Sequence, residues 1–198
     1  PEKTWLSDVK EKTEGFTPTK LLYYEDPYLQ KFDANVLDVF NGKYVILDGT
    51  AFYPEGGGQP SDQGVLKWNK GEVKVLDVQK VGEVVAHEVE GEPPNKGSKI
   101  MGILDWNRRL SLMKNHTGTH IILASARKIL GSHVWQSGAM KGVERSRLDL
   151  SHYLRLTDEQ VYQIENFANQ IVMDNLPVKT FWLPKEDAES KYGFTIYQ

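Results

Sequence analysis

The sequence predicts an α+β fold, in which a small β-barrel precedes a domain of helices and a sheet. Three observations lead to this prediction. Short segments of alternating apolar and polar residues, separated by turn signals, fill the stretch from about Lys31 to Asp105. An uninterrupted helical pattern follows from Trp106 to Leu130, and a second amphipathic helix begins near Thr157. The change from strand-like to helical periodicity places a domain boundary near residue 105.

The composition is that of an ordinary globular protein. Of the 198 residues, 39% are apolar and 26% are charged, a balance that excludes a disordered tail or a fibre. No apolar run reaches the about 18 residues of a membrane helix, and no charged-then-apolar leader opens the chain, so we expect a cytoplasmic protein. Because the first residue is Pro1 rather than Met, we expect a chain that is processed or cut from something longer. The absence of cysteine excludes disulfides and every zinc site whose thiolate must come from these residues.

The charges are unevenly distributed along the chain. The formal net charge is −3, which by itself argues against a nucleic acid as partner. Residues 99–155, however, carry ten basic and three acidic side chains, whereas both flanking stretches are net acidic. A basic block of this kind is typical of a surface that binds phosphate, and the alternative is a chance clustering of surface charge on a helix and a strand.

The first half of the chain predicts one small barrel. Residues 1–20 are polar and predict a linker or a short helix, so the barrel domain is expected over 21–105. Asn41-Gly42 lies between two β-rich runs and is the strongest hairpin signal, because both residues accept a positive φ. Five or six short strands with tight turns are typical of a barrel or a sandwich. The strands are predicted at 33–40, 43–48, 64–68, 72–80, 84–89 and 98–104.

The second half, residues 106–198, predicts an α+β domain. Its first helix is expected to stop at Gly131, and the next begins with the capping-box pair Thr157 and Gln160 and ends before Pro177. Three further stretches alternate like strands, at 147–154, 178–183 and 193–197.

His116 and His120 stand in the motif His-Thr-Gly-Thr-His on the first long helix. Residues four apart share one helix face, so both imidazoles can reach one metal ion. The zinc-protease motif requires Glu directly after the first His, and Thr117 occupies that position, which excludes this type of protease. The alternative is a pair of histidines that bond to the backbone. The other histidines show no ligand-like spacing from one another; they are His87, His133 and His152.

A glycine-rich segment lies in the predicted barrel, from Tyr53 to Gly64. It contains Gly56-Gly57-Gly58, and such a run suits a close approach of the backbone to a ligand. No Lys follows the glycines, so the segment is not a P-loop. It is either a flexible barrel loop or a binding loop in which Gln59 and Asp62 offer polar groups.

A third polar stretch, Gly131–Gly138, follows the histidine helix directly. Its position would allow Gln136 and Ser137 to fold back over the histidine pair. Taken alone, this stretch does not identify a site.

Together these motifs resemble the editing region of alanyl-tRNA synthetases, over nearly the whole chain. The run from Asp48 to Gly64 is similar to the glycine-rich signature of that family, and His116–His120, Gly131–Gly138 and Arg147–Ser151 resemble its editing-site motifs in order and spacing. The freestanding AlaX trans-editing proteins share these motifs. The segment Tyr23–Tyr28 looks like the archaeal-type synthetase, and the polar stretch before it looks like the linker that joins the aminoacylation half. We therefore expect an excised synthetase fragment rather than an AlaX protein.

The resemblance implies a β-barrel followed by an α+β domain of the type that threonyl-tRNA synthetases share. It also implies hydrolysis of the ester that joins serine or glycine wrongly to tRNA(Ala), as part of an ATP-dependent ligase of protein biosynthesis. A pocket built for a methyl group discriminates poorly against one added hydroxyl or a smaller group, so a second site must remove the error. Such a site would bind the serine hydroxyl. An unpaired buried polar group costs about 1–3 kcal/mol, which is enough to spare the alanyl ester.

The resemblance further implies zinc, with His116 and His120 as two ligands and a later Cys-x-x-x-His motif as the other two. This sequence contains no cysteine and ends at Gln198, in a strand-like run that the family continues. We therefore expect a C-terminal truncation before the second half-site, with zinc absent or completed by water or a neighbouring molecule. Where zinc is bound, it positions the substrate or polarises a water, and both roles stay open.

The resemblance assigns roles to individual residues. Thr119 matches a family threonine and is the candidate for binding the serine hydroxyl. Gln136 matches a glutamine that lines the editing pocket and orients the substrate or the water. Arg147 and Asp149 fit a family motif, and a structural ion pair is their alternative interpretation. The candidates for contact with the substrate or the tRNA end are Gly56, Gly57, Gly58, Gln59, Asp62, Ser137 and Arg147.

Two other functions fit the same motifs. One is a freestanding AlaX-type trans-editing protein. The other is a tRNA-binding module that lacks activity because half of its metal site is missing.

Overall fold

The computed structural model describes residues 5–197, so Pro1–Thr4 of the expected linker and Gln198 lie outside the described residues. The helices are α1 (Trp5–Lys12), α2 (Trp106–Leu130), α3 (Asp158–Met173) and α4 (Lys185–Tyr192), with short 3-10 helices at Leu22–Tyr24 and Gly193–Tyr197. The strands are β1 (Lys20–Leu21), β2 (Lys31–Phe40), β3 (Tyr44–Leu47), β4 (Gly49–Thr50), β5 (Gly64–Trp68), β6 (Gly71–Val81), β7 (Val84–Glu90), β8 (Lys99–Leu104), β9 (Gln136–Lys141) and β10 (Ser146–Leu150). No helix within residues 5–197 combines the length and the apolarity that crossing a lipid bilayer requires.

The chain divides into two compact units. The first runs to Lys114 and includes Gly142–Glu144, and the second comprises Asn115–Lys141 and the residues from Arg145 onward. The domain limits inferred from the sequence, near residues 20 and 105, stay predictions.

A closed six-stranded antiparallel barrel forms most of the first unit. Its strand order is β2-β3-β7-β6-β5-β8, and β8 pairs with β2 to close it. Asn41 and Gly42 connect β2 to β3 with φ values of 51° and 66°, which confirms the predicted hairpin. The predicted α+β fold class, with a small barrel in the first half, is therefore confirmed.

Side chains that alternate along the strands fill the barrel. Phe32 and Val36 of β2 are buried, and Phe32 meets the fully buried Phe52 edge to face with ring centroids 5.6 Å apart. An added Cβ on Gly64 would collide with the carbonyl oxygen of Ile103, so the pairing of β5 with β8 requires glycine there. Packing of this density explains why the barrel strands have so little freedom to slip in register.

The short helix that the sequence offered for residues 1–20 is confirmed as α1. Val9 on this helix is fully buried and packs in a cluster with Tyr44 and Ile46 of β3. The described part of the expected linker therefore contributes to the core of the first unit.

His87 is a fully buried histidine in the first unit. Its Nδ1 lies 3.0 Å from the carbonyl oxygen of Val45, and its Nε2 lies 2.8 Å from Oγ1 of Thr50. Because a carbonyl can only accept, Nδ1 carries the proton, and Nε2 accepts from the Thr50 hydroxyl. That hydroxyl in turn accepts from the N–H of Phe52 at 3.1 Å. Burial lowers the pKa of His87 from 6.5 to about 4, so the ring is neutral.

We expect the free energy of unfolding to fall as the pH drops from about 6.5 to about 4, by up to about 3 kcal/mol. In this window the unfolded chain protonates His87 whereas the folded chain does not, so falling pH favours the unfolded state. Urea unfolding across this range measures the effect. Because carboxylates also titrate there, the readout is the difference in slope against a His87→Gln variant. Equal slopes in the two proteins would contradict the prediction.

The second unit packs helices against a two-stranded sheet. Leu123 and Ala126 of α2 form a buried cluster with Val134 and with Ile164 of α3, and Leu148 and Leu150 of β10 pack against this cluster. The predicted end of α2 is confirmed at Gly131, where φ is 115°. The predicted capping box of α3 is also confirmed: Thr157 Oγ1 accepts from the N–H of Gln160 at 3.2 Å, and the Gln160 side chain accepts from the Thr157 N–H at 3.0 Å.

Several strand predictions for the second unit are wrong. Residues 178–183 are irregular, residues 193–197 form a 3-10 helix, and the strand expected at 147–154 ends at Leu150. Apolar residues alternate in these stretches, but alternation makes a strand only where a partner strand supplies hydrogen bonds, and no such partner pairs with them among residues 5–197. Phe181 and Trp182 are accordingly exposed. Conversely, β9 and α4 form where the sequence indicated no strand or helix.

Candidate functional site

His116 and His120 lie one turn apart on α2 with nearly parallel rings. The ring centroids are 5.2 Å apart and the planes differ by 16°, so both side chains point from one helix face. Burial, then the ammonium of Lys141, then His120 lower the pKa of His116 to about 4. Partial burial and Lys141 also lower the pKa of His120. Both rings are therefore neutral near pH 7, and the neutral imidazole is the form that binds metals.

A bulge in the small sheet places Gln136 on the same face as Lys141. Residues that pair across strands share a sheet face, and Ser137 is an extra residue at the register shift between Asp149 and Leu150. Without that extra residue, Gln136 would lie on the opposite face from Lys141. The pairs on the shared face are Lys141 with Ser146, Ala139 with Leu148, and Gln136 with Leu150.

This sheet face is the one that meets the histidine helix. Leu148 and Leu150 on it pack against the cluster that contains Leu123 and Ala126 of α2. Lys141, which is buried, lies close enough to lower the pKa of both histidines. The second unit thus places the lysine and the glutamine on the side of the sheet that faces α2.

Thr119 and Gln136 differ in how their polar atoms are satisfied. Thr119 is buried on α2, and its hydroxyl donates to the carbonyl of Asn115 at 2.8 Å, which leaves the hydroxyl oxygen free to accept a further bond. The Oε1 atom of Gln136 is buried and has no hydrogen-bond partner. A buried acceptor without a partner is costly, so it is typical of a position that a ligand or a water satisfies.

Sequence analysis did not single out Lys141. Lys141 belongs to the basic block of residues 99–155. Because the sequence did not predict β9, the residues of this strand could not be assigned to a face of the sheet. A single lysine that is buried beside two imidazoles opposes the approach of cations and attracts anions.

The described residues do not make a complete zinc site. His116 and His120 offer two neutral nitrogen ligands, whereas zinc takes three or four protein ligands. Within residues 5–197, no group of three or more His, Cys, Asp or Glu side chains is arranged to hold a metal ion. The ammonium of Lys141 adds a charge that opposes a dication.

The glycine-rich segment forms a tight turn in the first unit. The N–H of Gly56 donates to the carbonyl of Gln59 at 3.1 Å, and the N–H of Gln59 donates back at 2.9 Å. Gly57 and Gly58, between them, have φ values of 58° and 77°, which is the pattern of a type I′ turn. The three glycines are exposed and Gln59 is buried, so the segment is a defined turn with its glycines in solvent.

Asp62 lies at the base of this segment in a buried ion pair with Arg109 of α2. Its Oδ2 accepts from Arg109 Nε at 2.8 Å and from the N–H of Tyr53 at 2.6 Å. Arg109 also donates to the carbonyls of Ala51 and Pro27. Only 1% of the Asp62 side chain and 3% of the Arg109 side chain are exposed. The geometry gives Asp62 a structural task, and its contact with tRNA stays a prediction.

Ser137 of β9 and Arg147 of β10 both contact Asp149 of β10. The Ser137 hydroxyl donates to the carbonyl of Asp149 at 3.2 Å, and Arg147 Nε lies 3.2 Å from Asp149 Oδ1. Gly138 pairs with Asp149, and a Cβ added to Gly138 would lie 2.8 Å from the Asp149 carboxylate. The ion pair offered as the structural interpretation of Arg147 and Asp149 is therefore present, and the role of both residues in binding stays untested.

The remaining histidines have no ligand-like spacing in the sequence, yet the fold brings two of them into contact. The Nε2 atom of His133 and the Nδ1 atom of His152 are 2.9 Å apart. Their separation along the chain hid this contact, which depends on the pairing of β9 with β10.

Two cavities of about 780 and 610 Å³ adjoin Trp68 in the first unit. Trp68 ends β5, whereas the glycine-rich segment precedes the start of β5 at Gly64. None of the predicted site residues lines either cavity. Their volume alone is therefore no argument for the site.

Alanine substitutions at Gly56 and Gly57 test which of the two glycines the backbone of the turn requires. An added Cβ at either position meets nothing within 4 Å, but Gly57 has a positive φ. We expect Gly57→Ala to lower the free energy of unfolding by about 1–2 kcal/mol through backbone strain. Gly56→Ala should leave it unchanged within about 0.5 kcal/mol. Urea unfolding of both variants measures the difference, and equal losses would contradict it.

The chain is similar to known proteins over its whole length. The family model described as tRNA synthetases class II (A) matches residues 7–108. Over all 198 residues the chain is 52% identical to the alanine–tRNA ligases of Pyrobaculum aerophilum and Korarchaeum cryptofilum, of which it covers 22%. Over 180 residues, 91% of the chain, it is 55% identical to the alanine–tRNA ligase of Pyrobaculum neutrophilum, of which it covers 20%. The chain thus spans about a fifth of the length of these relatives.

Proposed function

The chain belongs to the class II (A) tRNA synthetase family, and from this premise we propose that it is the editing region of an alanine–tRNA ligase. In this role it hydrolyses the ester of seryl- or glycyl-tRNA(Ala) in the cytoplasm. The observation that carries the proposal is the bulge that turns Gln136 toward the helix of the paired histidines. The names of the relatives favour a part of a ligase over a freestanding AlaX-type protein.

The proposed reaction uses the polar groups of the second unit. Water adds to the carbonyl carbon of the ester, the bond to the ribose oxygen breaks, and the products are the free amino acid and the tRNA. The unpartnered Oε1 of Gln136 accepts a hydrogen bond from that water or from the ammonium group of the amino acid. Lys141, buried beside the imidazoles, attracts the negative charge that develops on the carbonyl oxygen.

For the seryl ester, discrimination against the correct alanyl product rests on the serine hydroxyl. The Thr119 hydroxyl already donates to the carbonyl of Asn115, so its oxygen accepts from the serine hydroxyl. An alanyl group has no hydroxyl to donate, and unpaired buried groups cost about 1–3 kcal/mol. This corresponds to about a fivefold to a hundredfold preference for the seryl ester.

Zinc is part of the proposal, with His116 and His120 as two of its ligands. The two neutral imidazoles supply half of a tetrahedral set, and the remaining ligands come from outside the residues that the structure describes. Bound there, zinc would supply Lewis-acid polarisation of an oxygen.

We expect any zinc that copurifies with the protein to be lost in His116→Ala and in His120→Ala. Each substitution removes one of two ligands, and the remaining imidazole holds zinc too weakly to survive dialysis. Elemental analysis of the dialysed variants measures the content, with His87→Gln as a control because His87 is buried in the other unit. Zinc content unchanged in either alanine variant would refute the ligand assignment.

A second candidate is a tRNA-binding module without activity. The observation that favours it is the set of two imidazoles, which is half of what zinc needs. Hydrolysis of seryl-tRNA(Ala), measured together with zinc content, favours the esterase. Binding of tRNA without hydrolysis, with an affinity that falls steeply with salt because phosphate contacts release counterions, favours the module. A protein that neither binds nor hydrolyses seryl-tRNA(Ala) would defeat both candidates.

A further inference from the structure

Two groups of side chains lie where the β9–β10 sheet ends. His133, His152 and Tyr153 have ring centroids 5.0–5.4 Å from one another. The guanidinium of Arg127 lies over the ring of Trp135, 4.3 Å from its centroid. We call these five residues the ring cluster. All of them belong to the second unit, and the proposed hydrolysis assigns no role to any of them.

Hydrogen bonds join the two imidazoles of the ring cluster to each other and the backbone at Trp135 to Ser151. His133 Nε2 and His152 Nδ1 are 2.9 Å apart, so one ring donates to the other. Between them along the chain, Ser151 accepts from the Trp135 N–H at 2.9 Å, donates through its hydroxyl to the carbonyl of His133 at 3.3 Å, and donates its own N–H to the carbonyl of Trp135 at 2.9 Å. Rings that are fixed before binding lose little conformational freedom when a ligand stacks on them.

Two rings of the ring cluster are exposed to solvent, which side chains of a hydrophobic core are not. The Tyr153 side chain is 79% exposed and the Trp135 side chain is 36% exposed. Imidazole, phenol and guanidinium groups also differ from the aliphatic side chains that fill the core of this unit. Flat polar rings together with a cation are the groups that stack on nucleobases and pair with phosphates.

The surrounding charge agrees with an anionic partner. The cluster lies in the basic block of residues 99–155, in which three further arginines are exposed, at positions Arg145, Arg147 and Arg155. A metal ion is a poorer fit, because the two imidazoles bond to each other and no third ligand accompanies them within residues 5–197.

We propose that the ring cluster stacks on unpaired nucleotides at the 3′ end of an RNA and so holds that strand on the second unit. The partner is a single strand rather than a duplex, because bases must be unstacked from their neighbours to present their faces to a protein ring. That the RNA is tRNA(Ala) rests on the proposed function. The test of the stacking proposal is a binding measurement and does not require hydrolysis.

The test compares variants of the exposed Tyr153 in the full chain. The probe is a short unpaired RNA that ends in CCA and carries no amino acid, and fluorescence anisotropy measures its dissociation constant. Tyr153→Leu removes the ring but keeps an apolar side chain, Tyr153→Phe keeps the ring, and Tyr162→Leu on α3 is the matched control because Tyr162 is 62% exposed. Circular dichroism verifies that each variant is folded.

We expect Tyr153→Leu to raise the dissociation constant about tenfold or more, as the loss of one base–ring stack does. Tyr153→Phe and Tyr162→Leu should bind like the unchanged chain. Equal affinity of Tyr153→Leu and the unchanged chain, equal losses in Tyr153→Leu and Tyr162→Leu, or no binding of the probe by any of them would overturn the proposal.

The outcome is separable from the fate of the proposed function. Binding that depends on the Tyr153 ring, in a chain that leaves seryl-tRNA(Ala) intact, supports the stacking surface and contradicts the hydrolysis. Hydrolysis of seryl-tRNA(Ala) by a chain whose probe affinity does not depend on the Tyr153 ring supports the hydrolysis and contradicts the stacking surface.

Discussion

Replacing Gln136 with alanine is expected to lower the rate of seryl-tRNA(Ala) hydrolysis about a hundredfold, the usual cost of misplacing a reacting group by about 1 Å. Gln136 is half-buried, and its Oε1 has no partner in the protein, so truncation removes no bond that holds the fold. The same truncation removes the acceptor that would orient the water or the amino acid. Stability and activity should therefore separate in this variant.

The measurement is single-turnover hydrolysis of seryl-tRNA(Ala), with urea unfolding on the same samples. Gln163→Ala is the matched control, because Gln163 is an exposed glutamine of α3 whose side chain bonds to Glu159 at 2.8 Å. We expect Gln163→Ala to hydrolyse at the rate of the unchanged chain. Activity of Gln136→Ala equal to that of the control would remove Gln136 from the site.

Replacing Arg109 with methionine should lower the free energy of unfolding by about 3–5 kcal/mol, because it leaves the carboxylate of Asp62 buried without its partner. Asp62 is 1% exposed, and its second oxygen, Oδ1, already has no hydrogen-bond partner. The variant also removes the donors to the carbonyls of Ala51 and Pro27. The base of the glycine-rich segment would then be linked to α2 only through Arg108, which donates to the carbonyl of Ser61.

Urea unfolding of Arg109→Met, compared with the exposed Lys114→Met, measures this cost. Lys114→Met should change the free energy by no more than about 0.5 kcal/mol. The double variant Asp62→Asn with Arg109→Met removes the charge that the single variant strands, so it should be more stable than Arg109→Met alone. A double variant that is less stable than Arg109→Met would contradict the account of a stranded charge.

The features that sequence analysis predicted well are those decided by neighbours along the chain. Asn41-Gly42 forms its turn because both residues accept a positive φ, and α2 stops where Gly131 follows it. The capping box of Thr157 and Gln160 links residues three apart. In each case the groups that interact are within a few positions, so the local sequence contains the whole cause.

The features that were missed depend on residues far apart in the chain. The face of Gln136 follows from a bulge at Ser137, which only the register of β9 against β10 reveals. The partner of Asp62 lies 47 positions away at Arg109, which is why Asp62 was interpreted as a binding residue. The strands expected at 178–183 and 193–197 had the right alternation, but a strand also needs a partner, and alternation does not supply one.

The central claim is that the second unit hydrolyses the ester of a mischarged tRNA(Ala). Its most direct test compares the single-turnover rates at which the chain hydrolyses seryl-tRNA(Ala) and alanyl-tRNA(Ala). We expect faster hydrolysis of the seryl ester, by about fivefold to a hundredfold, because serine donates to the Thr119 oxygen and alanine cannot. Equal rates for the two esters, or a seryl ester that is hydrolysed no faster than in buffer alone, would contradict it.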